Sequence, residues 1–217
     1  MPPHNRTMVM IGASMLWVGW FGFNAGSAVA ADGSAGMAML VTHISAATGA
    51  LTWVAVEWIK SGKATMIGIA TGMVAGLATI TPASGTVGPA GALLIGFLAG
   101  IVCFYATQAV KSYFKIDDSL DVFPVHGVGG ILGIIMLSFV GNPDGFLGSG
   151  AAGISEEGAI AQFMIQLQGV VVISLYTAIV TYVILKLVDL FVEVRASNEE
   201  EEIGLDMSEH NEQGYSL

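Results

Sequence analysis

The sequence predicts an all-α fold, a polytopic bundle of six membrane-spanning helices, and three observations carry that reading. Hydrophobic residues make up 54% of the chain and charged residues only 11%, too little polarity to cover a water-soluble domain. Six apolar stretches approach or exceed the roughly 20 residues a helix needs to cross a bilayer. The seven Lys and Arg residues alternate with those stretches in the pattern of six spans whose two ends lie on the same side.

The spans are expected near residues 8–30, 36–59, 64–81, 89–110, 120–140 and 159–190, forming a transmembrane domain over 1–192 with a tail over 193–217. The first follows Arg6 almost directly. Its apolar stretch is longer than that of a signal peptide and lacks a small-residue cleavage pattern, so it reads as part of the mature structure. The second carries His43 beside Thr42 and Ser45 near its outer end, which reads as a packing residue. In the third, Gly68, Gly72 and Gly76 recur every four positions, and in the fourth Ala92, Gly96 and Gly100 do the same. Such ladders let helix backbones approach closely and read as bundle packing rather than as a binding surface. The fifth begins around Asp121, which reads as a structural residue capping the helix start, where the positive end of the dipole favours it. The sixth is long; at about 1.5 Å per residue it rises about 46 Å, so it must tilt or project beyond the hydrocarbon.

Charge sets the orientation. Arg6 precedes span one, Lys60 and Lys63 follow span two, Lys111 and Lys115 follow span four, and Lys186 and Arg195 flank the end of span six. The connections 31–35, 82–88 and 141–158 hold no Lys or Arg. The positive-inside rule therefore puts both termini in the cytoplasm. Seven of the seventeen acidic residues lie from Glu199 to Glu212, so the net charge of −10 belongs largely to an acidic cytoplasmic tail. Cys103 is the single cysteine and can form no disulfide within the chain.

Two faces could line a path. At helical period Leu16, Trp20, Phe23 and Ser27 share one side of the first span, two rings and a hydroxyl together. That combination could hold a small cation through ring quadrupoles and a hydrogen-bond acceptor; by pattern alone an interfacial aromatic belt is the better reading. In the fifth span His126, Gly130 and Gly133 are expected on one side, leaving the imidazole facing open space. An intramembrane histidine is a functional hypothesis by default, here a proton relay or a hydrogen-bonding path for a small polar solute. The alternative is a buried histidine bonded to a neighbouring helix. Scattered histidines without Glu or Cys at ligand spacing predict no metal site. The sequence offers no nucleophile with a base, no phosphate-cradling loop and no nucleic-acid surface, so neither an enzyme nor a cofactor is expected.

The stretch Trp20-Phe21-Gly22-Phe23-Asn24-Ala25-Gly26-Ser27 and the run from Asp121 to Gly130 resemble the two signatures of the ammonium transporter family (Amt/Rh) in its sixth and tenth helices. Thr81-Pro82-Ala83-Ser84-Gly85, Asp117-Asp118 and, in the tail, Gly204-Leu205-Asp206 with His210 and Tyr215 also fit. The resemblance covers essentially the whole chain. It implies the second half of an inverted-repeat fold of eleven helices, equivalent to helices six to eleven, assembled as a trimer with one pore per subunit. It implies external ammonium recruitment and an aromatic gate at Trp20, Phe23 and Ser27, one of two pore histidines at His126, apolar lining at Leu16 and Val122, and conduction of deprotonated ammonia. A PII-class signalling protein at the cytoplasmic face and a place in the plasma (inner) membrane are further implications. An ammonium sensor or regulatory component is the alternative reading. The family's first five helices, with the second histidine and the rest of the gate, have no counterpart in these residues, so the segment alone is not expected to transport. Asn211 stands after His210 where the family pattern has glycine.

Overall fold

In the computed structural model, residues 3–141 and 158–214 are described; the connection 142–157 and Tyr215 of the tail lie outside them. The chain divides into two compact units, Met1–Val170 and Val171–Leu217.

The first unit is built from α1 (Arg6–Gly26), α2 (Gly33–Ser61), α3 (Met66–Ile80), α4 (Pro89–Gln108), α5 (Gly129–Val140) and the beginning of α6 (Ala159–Val188). Among the described residues six helices, counting continuous extensions, are long and apolar enough to cross a membrane, as the composition predicts. Their ends follow local chemistry. The Asn5 side chain accepts from the Met8 amide at 3.0 Å, Asp32 from Ser34 at 2.9 Å, and Thr65 from Gly68 at 2.9 Å, each satisfying an N–H that the helix leaves unpaired. Gly62 closes α2 at φ 75°, and Pro89 opens α4 where a missing N–H costs nothing. The first helix ends at Gly26, short of the expected residue 30, because the chain turns at Ser27 and Val29 adopts φ 54°.

Glycine ladders hold the centre. A Cβ added at Gly49 of α2 would lie 2.6 Å from the Gly72 carbonyl oxygen of α3, one at Gly96 of α4 would lie 2.6 Å from the Ser45 carbonyl, and one at Gly100 would lie 2.7 Å from Thr52 Cβ. Helix α2 is thus gripped from both sides at distances only glycine permits. Ser45 Oγ adds a bond to the Gly76 carbonyl at 2.9 Å. Around this seam Val41, Leu77, Ile80, Ile95 and Val140 are fully buried.

Two stretches depart from the α period. Helix α4 runs on into a π-helical turn, Ala109–Tyr113, and α5 is preceded by another, Phe123–Val128. The second carries His126, so the expected grouping of that residue with Gly133 fails. A Cβ at Gly130 would meet nothing within 4 Å, whereas Gly133 is pressed on the Thr79 carbonyl and Pro82. The i→i+5 turn advances less per residue than the 3.6-residue helix and rotates the glycines behind it. Asp121 also differs from expectation. The carboxylate that caps this turn is that of Asp118, which accepts from the amides of Val122 at 2.9 Å and Phe123 at 2.8 Å. Asp121, at φ 57°, instead pairs with Lys111 at 2.7 Å and ties the turn to the end of α4.

The second unit holds the remainder of α6 and two short helices, α7 (Asn198–Ile203) and α8 (Leu205–His210). Ser197 and Glu200 form a reciprocal capping box at the start of α7. The Ser197 backbone N–H, then its hydroxyl, hold the Glu200 carboxyl below its ordinary pKa. Asn211 ends α8 in the left-handed conformation, φ 50° and ψ 37°, which explains the family's glycine there and why asparagine, the next residue to tolerate that region, replaces it.

Candidate functional site

Helix α1 rests on α2 and α3 through Ala13, Met10, Trp17 and Trp20, and through Asn24, buried and donating its side-chain N–H to Thr42 Oγ1 at 2.9 Å. That seating leaves the face with Leu16, Phe23 and Ser27 outward; Leu16 is 55% exposed and Phe23 65%. Gly12, Met15, Leu16, Gly19, Trp20 and Phe23 line a groove of about 580 Å³ along it. All six belong to α1, so the groove is an open trough rather than an enclosed pore. Its lining is almost wholly apolar carbon.

The two sequence motifs meet at this trough. The Trp20 indole lies nearly parallel to the His126 imidazole, centroids 6.4 Å apart and planes 12° apart, and meets the Phe23 ring edge-on at 6.3 Å. The Trp20 Nε1–H donates to Thr81 Oγ1 at 2.7 Å. His126 is exposed and its imidazole makes no hydrogen bond among the described residues, which disfavours the reading of a buried histidine bonded to a neighbouring helix. Its one donor and one acceptor are free to serve a solute. One turn beyond Phe23, Ser27 donates its hydroxyl proton to the Phe23 carbonyl at 2.7 Å. With the donor used, the oxygen lone pairs remain to accept from an N–H-bearing cation.

The remaining expected residues stand further off. Val122 is 54% exposed at the start of the π-helical turn, its amide held by Asp118; no ring or hydrogen-bond contact joins its side chain to Trp20. Asp121 pairs with Lys111. His43, expected to be packed, is exposed on the other flank of α1, with Trp17 at 5.1 Å and Phe21 at 6.0 Å between ring centroids. The sequence reading missed Thr81, Lys111 and Asp118 as partners. A half-buried indole N–H commonly finds an acceptor, but sequence spacing does not say which hydroxyl supplies it. Among the described residues no group of three or more His, Cys, Asp or Glu could hold a metal ion.

A sequence profile of the Ammonium Transporter Family matches residues 1–215. An ammonium transporter of Aquifex aeolicus is 44% identical over 215 residues, covering 99% of this chain and 50% of that protein. One from Bacillus subtilis is 40% identical over 213 residues, covering 98% of this chain and 52% of that protein. Among solved structures, a sensor Amt protein superposes with a TM-score of 0.85 at 27% identity, over 95% of this chain and 50% of its own. Mep2 of Saccharomyces cerevisiae gives 0.78 at 35% identity, over 87% of this chain and 44% of its own. The chain spans about half the length of the curated relatives it matches.

Proposed function

Because the chain belongs to the ammonium transporter family, we propose that its open α1 face is one wall of a path for ammonium, completed by residues outside this segment. The chain is a multi-pass integral membrane protein. Trp20, Phe23 and Ser27 receive the cation at the external end, through ring faces and a hydroxyl oxygen whose own proton is engaged. Leu16 and Val122 supply apolar lining, and His126 meets the nitrogen along the path. Taking an intact cation through such a lining is costly, whereas ammonia requires only a few hydrogen-bonding partners. The cation therefore loses a proton before crossing, and size and lining chemistry together select the solute. The observation that carries this reading is the meeting of the two distant motifs in the Trp20–His126 stack on the apolar trough.

The same proposal includes a plasma-membrane location with both termini cytoplasmic, supported by the Lys and Arg distribution, and trimer assembly of the completed protein, supported by the family. A PII-class partner would meet the cytoplasmic side, where the acidic α7–α8 tail is expected to lie.

The test is uptake of radiolabelled methylammonium by cells without their own ammonium transport. This chain is expressed alone, and fused to the half of the Aquifex aeolicus relative that it does not match. Uptake at subsaturating methylammonium is expected from the fusion, not from the chain alone, and falls with His126→Ala, Phe23→Ala or Trp20→Ala. A fusion that reaches the membrane and takes up nothing, or that retains uptake with all three substitutions, sinks the proposal; a tail-dependent partner interaction without uptake would favour the sensor reading.

A further inference from the structure

The Trp20 indole packs on one side against the buried cluster around Met73 and Leu77 and borders the open trough on the other, so packing holds it from one side only. Its Nε1–H is fixed on Thr81 Oγ1 at 2.7 Å, and the Thr81 hydroxyl donates in turn to the Leu77 carbonyl at 2.7 Å. This chain of bonds has one direction. With the hydroxyl proton committed to Leu77, a lone pair must point at the indole, and each bond polarises the next. The far end is anchored in the core, where Leu77 is fully buried.

Thr81 is itself held from behind. It opens the 3-10 turn Thr81–Ala83 after α3. On the α5 side, Gly133 sits so close to the Thr79 carbonyl and the Pro82 ring that a Cβ there would fall 2.9 Å from Pro82 Cγ. Helix α5 continues directly from the turn that bears His126. The acceptor that fixes the indole and the imidazole that stacks on it are therefore both referenced to α5. One ring is thus tied to the turn that α5 presses on through Thr79 and Pro82, and the other to the turn from which α5 continues.

We infer that Thr81 is a positioning residue for the Trp20–His126 pair: through its hydroxyl it sets the plane of the indole against the imidazole, and it thereby shapes the solute path without itself having to touch the solute. The inference rests on the reading of that face as a path, and its two tests separate the one from the other.

The first test uses the chain itself in lipid nanodiscs with indole nitrogens labelled, the Trp20 signal being assigned by Trp20→Phe. Thr81→Val keeps the shape and removes the hydroxyl. It is expected to shift the Trp20 indole N–H signal, speed its hydrogen exchange by about tenfold, and move the His126 ring signals as the stacked ring turns away; Thr81→Ser restores all three. Thr81→Ala serves the same purpose if the valine variant does not fold. His126 signals that stay in place in the hydroxyl-free variants overturn the inference. In the second test, the fusion used for uptake should lose as much rate with Thr81→Val as with Trp20→Phe, with no further loss in the double variant and recovery in Thr81→Ser. Loss with Trp20→Phe but not with Thr81→Val overturns the positioning role. Uptake indifferent to both substitutions refutes the path reading, and Thr81's functional role with it, whatever the spectra show of the bond.

Discussion

The Trp20 indole and the His126 imidazole, drawn from the first helix and from the turn before the fifth, face each other at 6.4 Å with 12° between their planes. Neither motif alone predicts that contact. It puts an aromatic surface beside an imidazole at the edge of an apolar trough, the arrangement on which the proposed path rests.

The two ends of that face should respond differently to substitution. A ring that attracts a cation contributes about 0.5 to 2 kcal/mol to its binding. Phe23→Ala in the uptake-competent fusion should therefore raise the half-saturating methylammonium concentration by about two- to thirtyfold more than it lowers the maximal rate. His126→Ala should lower the maximal rate instead. Concentration-dependent uptake distinguishes the two.

Glycine contacts predict where the bundle fails. Gly76 lies against the Ser45 backbone and Gly130 faces nothing within 4 Å. Gly76→Ala should destabilise the chain by about 1 to 3 kcal/mol, as overpacking does, while Gly130→Ala leaves stability unchanged or slightly higher. Thermal unfolding in detergent would show both, and equal effects would contradict the close packing of α2 on α3.

The ion pair between Lys111 and Asp121 is partly exposed, at 41% and 15% of the two side chains. Its contribution is accordingly modest, about 1 kcal/mol or less. Lys111→Met should lower the unfolding midpoint and flatten its dependence on salt, and Lys111→Met with Asp121→Asn should recover part of the loss. A single variant that unfolds at the wild-type temperature in low salt would argue against the pair.

Acid should loosen the tail. The Glu200 carboxyl titrates below its ordinary range because the Ser197 backbone N–H, then the Ser197 hydroxyl, bind its ionised form. A depressed folded-state pKa means that stabilisation is complete above the unfolded value and is lost as pH falls through the folded one. The α7 amides should therefore keep their protection near neutrality and lose it, relative to the intrinsic exchange rate at each pH, on acidification below the usual glutamate range. Glu200→Gln should remove most of that pH dependence, as read by amide hydrogen exchange.

Orientation can be checked directly, since Cys103 is fully buried and leaves a low labelling background. A cysteine at Ser34 should react with an impermeant maleimide added outside the cell, and one at Ser61 only after the membrane is opened. The reverse result would invert the topology.

The number of spans could be read from the sequence because hydrocarbon thickness sets a length that apolar runs either reach or miss, and the glycine ladders because small residues every fourth position leave one helix face bare. The face of Trp20, Phe23 and Ser27 followed from the 3.6-residue period, which α1 keeps throughout. The same period failed around His126, where a π-helical turn that no spacing reveals separates it from Gly133. The sequence points to Asp121 as the cap, but its backbone is left-handed and its carboxylate pairs with Lys111, while Asp118, which no spacing singles out, caps the turn. Thr81 could not be assigned to Trp20 beforehand, because their bond joins elements distant along the chain and depends on how α1 is seated.

The glycine seam and the trough share no residue. Leu16, Phe23 and Ser27 point away from every contact at which α2 is gripped by its neighbours. The wall of the trough is thus open to redesign at Leu16 and Phe23, where its width and polarity can change while the scaffold beneath keeps its strength.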